Sequence, residues 1–409
     1  MKSLEFFALI KILFFDREPD LERVQRMGLL AVKLGQIMAL RPDFLGVERC
    51  RILSRLYSNA ESLPPEDAAS LIRTSAPPEF LAAFRHFEIS PFAAASIGQV
   101  HRAELLDGSP VAVKLVKRDF AASFAHDARV LRNLFEWAIR LYPRLRGVAN
   151  PVSLLHQIER MTLRELDMRN EVSGGQLLES LRQQHAQRYD LSHMRLPRLY
   201  PELSNDRVLV SEFLAAPSLD QLLSRGQLSY QRLLELFNLH GYFLFSVGTF
   251  HGDIHPGNIL LDGDSFVFID TGYIATAPRR LRTNLFYFFA ALSADDLPES
   301  AAALNRIADT PLAGRDFARF RERFFSLYAN FKGSTVSQIS LTRQMMLTIR
   351  LAVQSGMVFD EAIFDVIKSL MFLDGMVLRA NPNAVLLHDM RPLLDSFLPY
   401  LEPLEGSTL

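Results

Sequence analysis

The sequence predicts an α+β fold with separate helical and strand-rich regions, because its hydrophobic periodicity changes twice along the 409 residues. Helical patterns occupy the first part of the chain, and strand-like runs with an Asp107–Gly108 hairpin signal begin at Phe87. From Ser218 helical patterns dominate again, interrupted by a second hairpin signal at Asp262–Gly263. We therefore expect a helical extension, a small strand-rich domain and a larger helical domain, at residues 1–86, 87–214 and 215–409.

The extension is predicted to be helical because its apolar residues lack strand alternation. Two proline-containing turns, Ser62–Glu66 and Ser75–Glu79, bracket the short helical segment EDAASLIR. The apolar run Phe6–Phe15 is interrupted by Lys11 and is shorter than the roughly 18 residues of a transmembrane helix. Two interpretations of this run stay open: a helix buried in the protein's own core, and an interfacial helix on a membrane surface.

The central region is predicted to contain a small sheet with helices inserted into it. The segments FEIS, QVHRAEL, PVAVKLVK and RVLVSEFL are rich in the β-branched and apolar residues that strands prefer. Long helical patterns from about Phe120 to Tyr142 and from Pro151 to about Arg188 separate the third of these strands from the fourth.

Composition excludes several classes of function. The chain is 49% hydrophobic and 22% charged with a net charge of −1, so it has no global basic field that would recruit nucleic acid. Its one cysteine, Cys50, excludes an intramolecular disulfide and a cysteine-based zinc site. This composition suits a reducing compartment, and we expect a cytoplasmic protein without a transmembrane helix that associates at most peripherally with a membrane.

The segment His251–Leu260 (HGDIHPGNIL) concentrates polar residues directly before a predicted strand. Three interpretations compete. It is a plain turn, because Asp, Gly, Pro and Asn are typical turn residues. It is a metal site of His251, Asp253 and His255, although the proline and glycine that follow disfavour a helix displaying both histidines. It is a phosphoryl-transfer loop that uses Asp253 and Asn258.

The residues that follow favour phosphoryl transfer. Asn258 lies five residues after Asp253, and a hairpin then leads to Asp270–Thr271–Gly272, which is the order of the catalytic and metal-binding segments of kinases. The chemistry needs a carboxylate facing the attacking hydroxyl, here Asp253, and oxygen ligands that hold Mg²⁺ against the phosphates of ATP. We expect the hairpin to bring its two ends together, so that Asn258 and Asp270 share the metal.

The predicted strand VAVKL carries Lys114 directly after the first hairpin, where kinases keep the lysine that binds the α- and β-phosphates. Its acidic partner is expected on a following helix, and the segment ELDMRNE offers Glu165, Asp167 and Glu171.

The segment VLVSEFL lies where kinases bind adenine through backbone groups, which makes Glu212 and Leu214 candidate cofactor-binding residues. The chain is thus predicted to begin with helices, which a small strand-rich lobe and a larger helical lobe with one hairpin follow. This order predicts a protein-kinase-like two-lobed fold with an N-terminal helical extension.

Two segments differ from ordinary kinases. The nucleotide loop reads PFAAASIGQVHRA, with these residues where glycines would let backbone amides approach phosphates: Ala93, Ala94, Ala95 and Ser96. Upstream, VKLGQIMALRPDFL carries Lys33 and Gln36 around a glycine. Together with ELDMRNE, VAVK and HPGN, these segments resemble the ABC1/ADCK/UbiB family of atypical kinases, also called the AarF family, from about Gly28 to about Asn383.

The resemblance implies a helix that carries Lys33 and Gln36 over the active site as a regulatory cover, with Lys33 received by Glu165 and Asp167. It assigns the remaining roles as follows: Glu171 pairs with Lys114, Asp253 is the catalytic base, and Asn258 and Asp270 hold Mg²⁺. It also implies an ATPase or an unusual kinase linked to ubiquinone and other isoprenoid lipids.

The chain departs from the family at two positions. Ile254 replaces the proline that often follows the catalytic aspartate, and Thr271 replaces the phenylalanine of the usual Asp-Phe-Gly segment. Arguments about phenylalanine-gated activation therefore do not transfer to this protein.

The sequence leaves three functions open. The leading hypothesis is an ATP-binding, Mg²⁺-dependent atypical kinase or ATPase that supports ubiquinone or other isoprenoid-lipid metabolism, with a lipid surface and lipid-biosynthesis enzymes as partners. The second is a small-molecule phosphotransferase of the aminoglycoside or choline kinase type, against which the Lys33–Gln36 and Ala93–Ser96 segments argue. The third is a nucleotide-gated scaffold without turnover, because the same ligands serve binding and catalysis.

Overall fold

The computed structural model describes residues 3–39, 45–57, 63–77, 79–94, 97–117, 120–141 and 151–401, and the chain forms two compact units. The first unit comprises Met1–Gln184, Arg195–Ala216 and Val267–Tyr273, and the second comprises His185–Met194, Pro217–Phe266 and Ile274–Leu409. The division into three parts at residues 86 and 214 stays a prediction.

The α-helices within the described residues are α1 Ser3–Ile10, α2 Leu21–Arg26, α3 Leu29–Ala39, α4 Val47–Leu53, α5 Pro65–Ser75, α6 Phe120–Leu141, α7 Pro151–Glu165, α8 Met168–His185, α9 Leu219–Ser224, α10 Tyr230–Gly241, α11 Arg279–Ser293, α12 Leu297–Ile307, α13 Gly314–Tyr328, α14 Leu341–Gln354, α15 Ala362–Ala380 and α16 Leu386–Phe397. Wider π-turns at Lys11–Phe15 and Tyr242–Val247 continue α1 and α10.

The strands are β1 Phe84–Phe87, β2 Ala93–Ala94, β3 Gly98–Leu105, β4 Pro110–Val116, β5 Met194–Arg195, β6 Val208–Glu212, β7 Thr249–His251, β8 Ile259–Asp262, β9 Ser265–Phe268 and β10 Ile274–Thr276. The first unit contains an antiparallel sheet of order β1-β3-β4-β6 with β2 added to β3. Two smaller sheets have the orders β10-β7 and β5-β9-β8. Both hairpins that the Asp-Gly signals predict are therefore present, as β3–β4 and β8–β9.

Strand β4 places Lys114 in the middle of the sheet. Val111 and Leu115 of this strand are fully buried in the apolar core of the first unit. Because successive side chains of a strand point to opposite faces, Lys114 projects from the other face. Val100 of β3 and Leu209 of β6 lie opposite Lys114 in the two neighbouring ladders. The lysine is thus held by a paired strand on each side.

The N-terminal apolar run contributes mainly to a core within the first unit. Leu9, Ile12 and Leu13 are buried in a cluster that also contains residues of α2, α3 and α4. Phe7 and Phe15 lie outside this cluster, and they are 67% and 75% exposed. The run therefore has a buried side, which packs on the protein, and two aromatic rings that face solvent.

The helical pattern after residue 150 forms two helices rather than one. Helix α7 ends at Glu165 and α8 begins at Met168. The break follows from the chemistry of Asp167, whose carboxylate accepts a hydrogen bond from the Arg169 backbone N–H at 3.1 Å. A short acidic side chain that binds a free N–H at a helix start favours a new helix over continuation of the old one.

No helix among the described residues is both long and apolar enough to cross a membrane.

The second unit is built mainly from helices, and its core contains a buried polar pair. Nε2 of His240 on α10 lies 2.5 Å from Oγ of Ser369 on α15, and both side chains are buried. Burial, helped by the nearby His251, lowers the pKa of His240 to about 3, so this imidazole is neutral.

We predict that His240 makes the protein acid-labile. Below about pH 6.5, the usual pKa of a histidine, His240 is protonated in the unfolded chain, whereas in the folded protein it stays neutral until the pH approaches 3. The free energy of unfolding therefore falls as the pH falls from about 6.5 to 3. At about pH 5.5 the loss from this group is roughly 1 kcal/mol. The difference in melting temperature between about pH 7.5 and pH 5.5 should be smaller in His240→Gln than in the wild type.

The control is His86→Gln, because His86 is exposed. It should keep the pH dependence of the wild type. An equal acid destabilisation in His240→Gln and in the wild type would contradict the assignment.

Candidate functional site

The first unit contains a buried ion-paired cluster around Lys114. The Nζ atom of Lys114 lies 2.7 Å from Oε2 of Glu171 on α8 and 3.0 Å from Oδ1 of Asp270, which follows β9. Side chains predicted from three distant segments therefore meet at one ammonium group. The structure brings together the lysine, the glutamate and the aspartate that the sequence selected.

Burial on its own would lower the pKa of Lys114, but the charges of Asp270 and Glu171 outweigh burial and raise it. Burial raises the pKa of Glu171, while the charge of Lys114 opposes that rise. The cluster thus keeps a full positive charge on Lys114 inside the protein, where it attracts anions more strongly than it would in water.

Thr271 secures the position of Asp270. Its hydroxyl donates a hydrogen bond of 2.7 Å to the backbone oxygen of Glu171, and its side chain is buried. Asp270 itself has a φ of 57°, a conformation that non-glycine residues rarely adopt and that the surrounding structure must hold in place. A Cβ atom on Gly175 of α8 would lie 3.1 Å from Oγ1 of Thr271, so the helix approaches the loop closely.

Sequence reasoning identified Thr271 only as a departure from phenylalanine. The structure gives it a role, since this hydroxyl links the loop of Asp270 to the helix of Glu171. The sequence contains a signal for this role: a small residue with a hydrogen-bond donor at position 271, and a glycine, Gly175, on the helix that faces it.

Helix α3 carries the lysine and glutamine of the predicted cover. Lys33 forms an ion pair with Glu165, and the two side chains are only 14% and 19% exposed. Gln36 is buried, and its Nε2 donates to the backbone oxygen of Leu56 at 3.0 Å. A Cβ atom on Gly35 would lie 2.5 Å from Cδ1 of Leu56, which explains the glycine as a point of close packing.

The expectation that Asp167 also receives Lys33 requires a correction. Both carboxylate oxygens of Asp167 accept hydrogen bonds from the guanidinium group of Arg169, the shortest at 2.7 Å. The physical reason is the helix break, because Asp167 caps α8 and Arg169 lies two residues further along the same turn. Lys33 is paired with Glu165 instead.

The alanine-rich loop lies partly within the described residues. Ala93 and Ala94 form β2, opposite Val100 and Gln99 of β3. The backbone here is thus paired as a short strand. Ala95 and Ser96 lie outside the described residues, and their role as phosphate-binding residues stays a prediction.

The candidate adenine segment is anchored by side-chain and backbone bonds. The carboxylate of Glu212 forms an ion pair with Arg195 and accepts a hydrogen bond from the Arg198 backbone N–H at 3.1 Å. The backbone N–H of Glu212 donates to the backbone oxygen of Arg198 at 2.8 Å. Glu212 therefore holds the end of β6 in place, and Leu214 follows just beyond the strand.

The second unit contains the loop of Asp253. Oδ1 of this aspartate lies 2.9 Å from Nζ of Lys368 on α15. Nδ2 of Asn258 donates to the backbone oxygen of Asp253 at 3.0 Å and lies 3.4 Å from Oδ2. Burial would raise the pKa of Asp253, but nearby positive charge, above all that of Lys368, outweighs burial and lowers the pKa below its usual value. Asp253 is therefore an ionised carboxylate with a cation beside it.

The two histidines of this loop serve its backbone. Nδ1 of His251 accepts the Asp253 backbone N–H at 3.1 Å, and Nδ1 of His255 accepts the Gly257 backbone N–H at 3.0 Å. Burial lowers the pKa of His255 and keeps it neutral. Within the described part of the chain no three His, Cys, Asp or Glu side chains converge as a metal site. These residues shape a turn that presents Asp253.

The predicted Mg²⁺ ligands have suitable chemistry. Asp270 and Asn258 offer carboxylate and amide oxygens, which hard cations prefer. Oδ1 of Asp270 already lies against the ammonium group of Lys114, and its side chain is 39% exposed, so this carboxylate can accept positive charge. Asp270 belongs to the first unit and Asn258 to the second, and their sharing of one metal stays a prediction.

We predict that Thr271→Val, which keeps the side-chain shape and removes the donor, destabilises the first unit. A buried hydrogen bond of this kind contributes about 1–2 kcal/mol. The free energy of unfolding from a urea titration should fall by this amount. Thr276→Val is the matched control, because Thr276 is exposed, and it should change stability little. Equal effects of the two substitutions would contradict the role given to Thr271.

Comparisons with known proteins show what this chain is similar to. The sequence profile described as the ABC1 atypical kinase-like domain matches residues 55–303, which is more than half of the chain. The chain is 25% identical over 391 residues to "Probable protein kinase UbiB" of Glaesserella parasuis, covering 92% of this chain and 69% of that protein. It is 28% identical over 274 residues to "AarF domain-containing protein kinase 1" of Xenopus laevis, covering 65% of this chain and 51% of that protein.

Another relative is an uncharacterized protein encoded in the 5′ region of hydrogenase 1 of Clostridium pasteurianum, 23% identical over 389 residues, with 92% of this chain and 69% of that protein covered. Among solved structures, the Rv3197–erythromycin complex from Mycobacterium tuberculosis matches with a TM-score of 0.51 and 20% identity, covering 93% of this chain and 96% of that chain. At this identity the match supports the fold.

The α+β, protein-kinase-like fold predicted from the sequence is thus confirmed, as is the resemblance to the UbiB and AarF proteins. The family profile matches more than half of the chain, and the chain contains the buried cluster of lysine, glutamate and aspartate. The chain belongs to the family of ABC1 atypical kinase-like domains.

Proposed function

We propose that the protein is an ATP-binding, Mg²⁺-dependent atypical kinase or ATPase that supports ubiquinone or other isoprenoid-lipid metabolism. The observation that carries the proposal is the contact of Lys114 with Glu171 and Asp270. A buried lysine with a buried glutamate on one side and a partly exposed carboxylate on the other is suited to binding nucleotide phosphates.

Each residue has a role in this proposal. Lys114 binds the α- and β-phosphates, and Glu171 holds the lysine in position. The backbone near Leu214 binds adenine, and the short strand at Ala93–Ala94 lies next to the phosphates. Asp253 is ionised and orients the attacking oxygen, either of a hydroxyl group or of water.

Asp270 and Asn258 are the residues that would hold Mg²⁺, which when bound neutralises charge on the phosphates. The other steps depend on side chains of the protein. Lys33 on the proposed cover helix α3 and Glu165 at the end of α7 form a largely shielded ion pair, and breaking it from one side leaves a poorly solvated charge. We propose that this pair restricts large acceptors and favours water or a small acceptor.

The link to ubiquinone rests on the names of relatives, among them the UbiB protein of Glaesserella parasuis. The chain spans about half of the Xenopus laevis relative and 69% of the UbiB relative, so the activity, substrates and partners of those proteins enter here as proposals. Phosphate release from ATP by the purified protein, with and without candidate acceptors, is the direct test. Absence of turnover with retained nucleotide binding would favour the scaffold instead.

We predict that Asp270→Asn weakens Mg·ATP binding and leaves the fold nearly intact. The substitution removes the charge that faces the metal and keeps the size of the side chain, and Lys114 retains Glu171. A bound ligand raises the melting temperature by mass action, so a titration with Mg·ATP should shift the variant much less than the wild type. Asp264→Asn is the control, because Asp264 is exposed. A wild-type shift in Asp270→Asn would remove Asp270 from the metal site.

We further propose that a lipid surface is a partner and that Phe7 and Phe15 contact it. Both rings are exposed, and the exposed Lys11 lies between them in the sequence. Aromatic rings with a nearby cation suit the interface of an anionic membrane. Deleting residues 1–16 would also remove the buried Leu9, Ile12 and Leu13, so point substitutions are the better test.

We expect Phe7→Ser with Phe15→Ser to reduce co-sedimentation with phosphatidylglycerol-containing liposomes and to leave the melting temperature within a few degrees of the wild type. Leu106→Ser is the control, because Leu106 is 63% exposed on the β3–β4 hairpin. If the wild-type protein stays in the supernatant, the run serves only as core.

A further inference from the structure

Helix α15 turns one side toward the loop of Asp253 within the second unit. Nζ of Lys368 lies 2.9 Å from Oδ1 of Asp253. The ring of Phe372, one helical turn later, meets the His255 ring edge to face with centroids 5.4 Å apart. Arg379 continues the same helix and pairs with Asp220 on α9 at 2.7 Å. The helix therefore supports the loop from outside the local sequence.

The lysine beside Asp253 comes from outside the loop that carries this aspartate. The loop HGDIHPGN contains no lysine or arginine of its own, and its histidine His255 is kept neutral by burial. The cation next to Asp253 is therefore supplied by a helix that follows much later in the chain. Its side chain is 16% exposed and that of Asp253 is 22% exposed, so the pair is largely but not completely shielded from solvent.

We infer that Lys368 is a catalytic residue whose ammonium group binds the γ-phosphoryl group as it is transferred beside Asp253. This inference rests on the proposed phosphoryl-transfer function and adds to it a residue that the catalytic loop lacks. An oxygen atom that hydrogen-bonds Asp253 lies about 3 Å from the carboxylate. With Nζ 2.9 Å from the same carboxylate, the cation and the attacking oxygen share one small region.

The step is balanced without further reactants. The attacking oxygen of water or a hydroxyl group forms a bond to the γ-phosphorus, while the bond from that phosphorus to the β–γ bridging oxygen breaks and ADP leaves with the electron pair. The proton of the attacking oxygen passes to Asp253 and then to solvent. In the transition state the negatively charged γ-phosphoryl oxygens lie between the attacking and the leaving oxygen, and a fixed cation beside that position stabilises this state more than the bound nucleotide.

A structural role alone would explain the ion pair differently. The lysine would then neutralise a buried carboxylate and anchor the loop, and its loss would affect stability and every bound state equally. A cation that binds the phosphoryl group during its transfer should instead increase the affinity for a mimic of the transition state more than the affinity for ADP. The reason is that catalysis depends on interactions that are stronger in the transition state than in the ground state.

The experiment measures binding before turnover. Aluminium fluoride with MgADP mimics the planar phosphoryl group, and calorimetric titration gives the affinity for MgADP with and without it. We expect Lys368→Met to bind MgADP within about twofold of the wild type and to lose the extra affinity for the aluminium fluoride complex by roughly 10-fold or more. Lys368→Arg, which keeps the charge, should recover part of that affinity.

Turnover gives the second readout. For phosphate release from ATP, Lys368→Met should lower kcat by roughly 100-fold with little change in KM. Arg379→Met is the matched control on the same helix, because it also removes an ion pair, and both readouts should stay within about twofold of the wild type. Lys368→Gln is an uncharged second variant that can still hydrogen-bond Asp253, and it serves if the methionine variant does not fold.

The outcomes separate this inference from the proposed function. If the wild type binds MgADP and the aluminium fluoride complex, and the uncharged variants bind both equally well, Lys368 is only an anchor. Faster turnover in the variants would make the contact inhibitory, which also overturns the inference. A wild type that binds no MgADP at all would refute the proposed function itself, and this inference with it.

Discussion

The ammonium group of Lys114 is the contact on which the arrangement of the first unit depends. It joins three elements that are far apart in sequence: strand β4, helix α8 through Glu171, and the loop after β9 through Asp270. Burying Lys114 or Glu171 alone would cost several kcal/mol, so each of these two charges requires the other. The sheet must present the lysine from a paired strand, and α8 must approach the loop closely. Much of the local geometry satisfies these two demands.

Small residues permit that approach. Gly175 on α8 leaves room for Leu199 and Thr271, since a Cβ atom there would lie 2.7 Å from a methyl carbon of Leu199. Thr271 uses the space to hydrogen-bond the helix backbone, which holds Asp270 in its left-handed conformation. A phenylalanine at the position of Thr271 could not donate this hydrogen bond. The departure from the usual kinase segment thus matches the tight contact between helix and loop.

The second unit also pairs a largely buried carboxylate with a lysine, which here comes from helix α15. Asp253 is ionised although burial opposes it, because the ammonium group of Lys368 on α15 lies beside it. His251 and His255 accept backbone N–H groups of the loop and so define the shape of its turn. The two units therefore each contain a carboxylate paired with a lysine, one exposed toward a metal and phosphates in the proposed function, the other beside the attacking oxygen.

The sequence by itself determined the elements and the chemical types of the site. Hairpin turns, strand composition and the spacing from Asp253 to Asp270 depend on local propensity, which is readable along the chain. The break before α8 and the pairing of Asp167 with Arg169 instead of Lys33 follow from a local helix cap, which hydrophobic periodicity does not reveal. The buried role of Thr271 was decided by tertiary structure. The same holds for Lys368, because nothing in a helix sequence shows which side chain will meet a loop folded against it. Long-range packing selects among many possible charge partners, and only the assembled core shows which ones come within hydrogen-bonding distance.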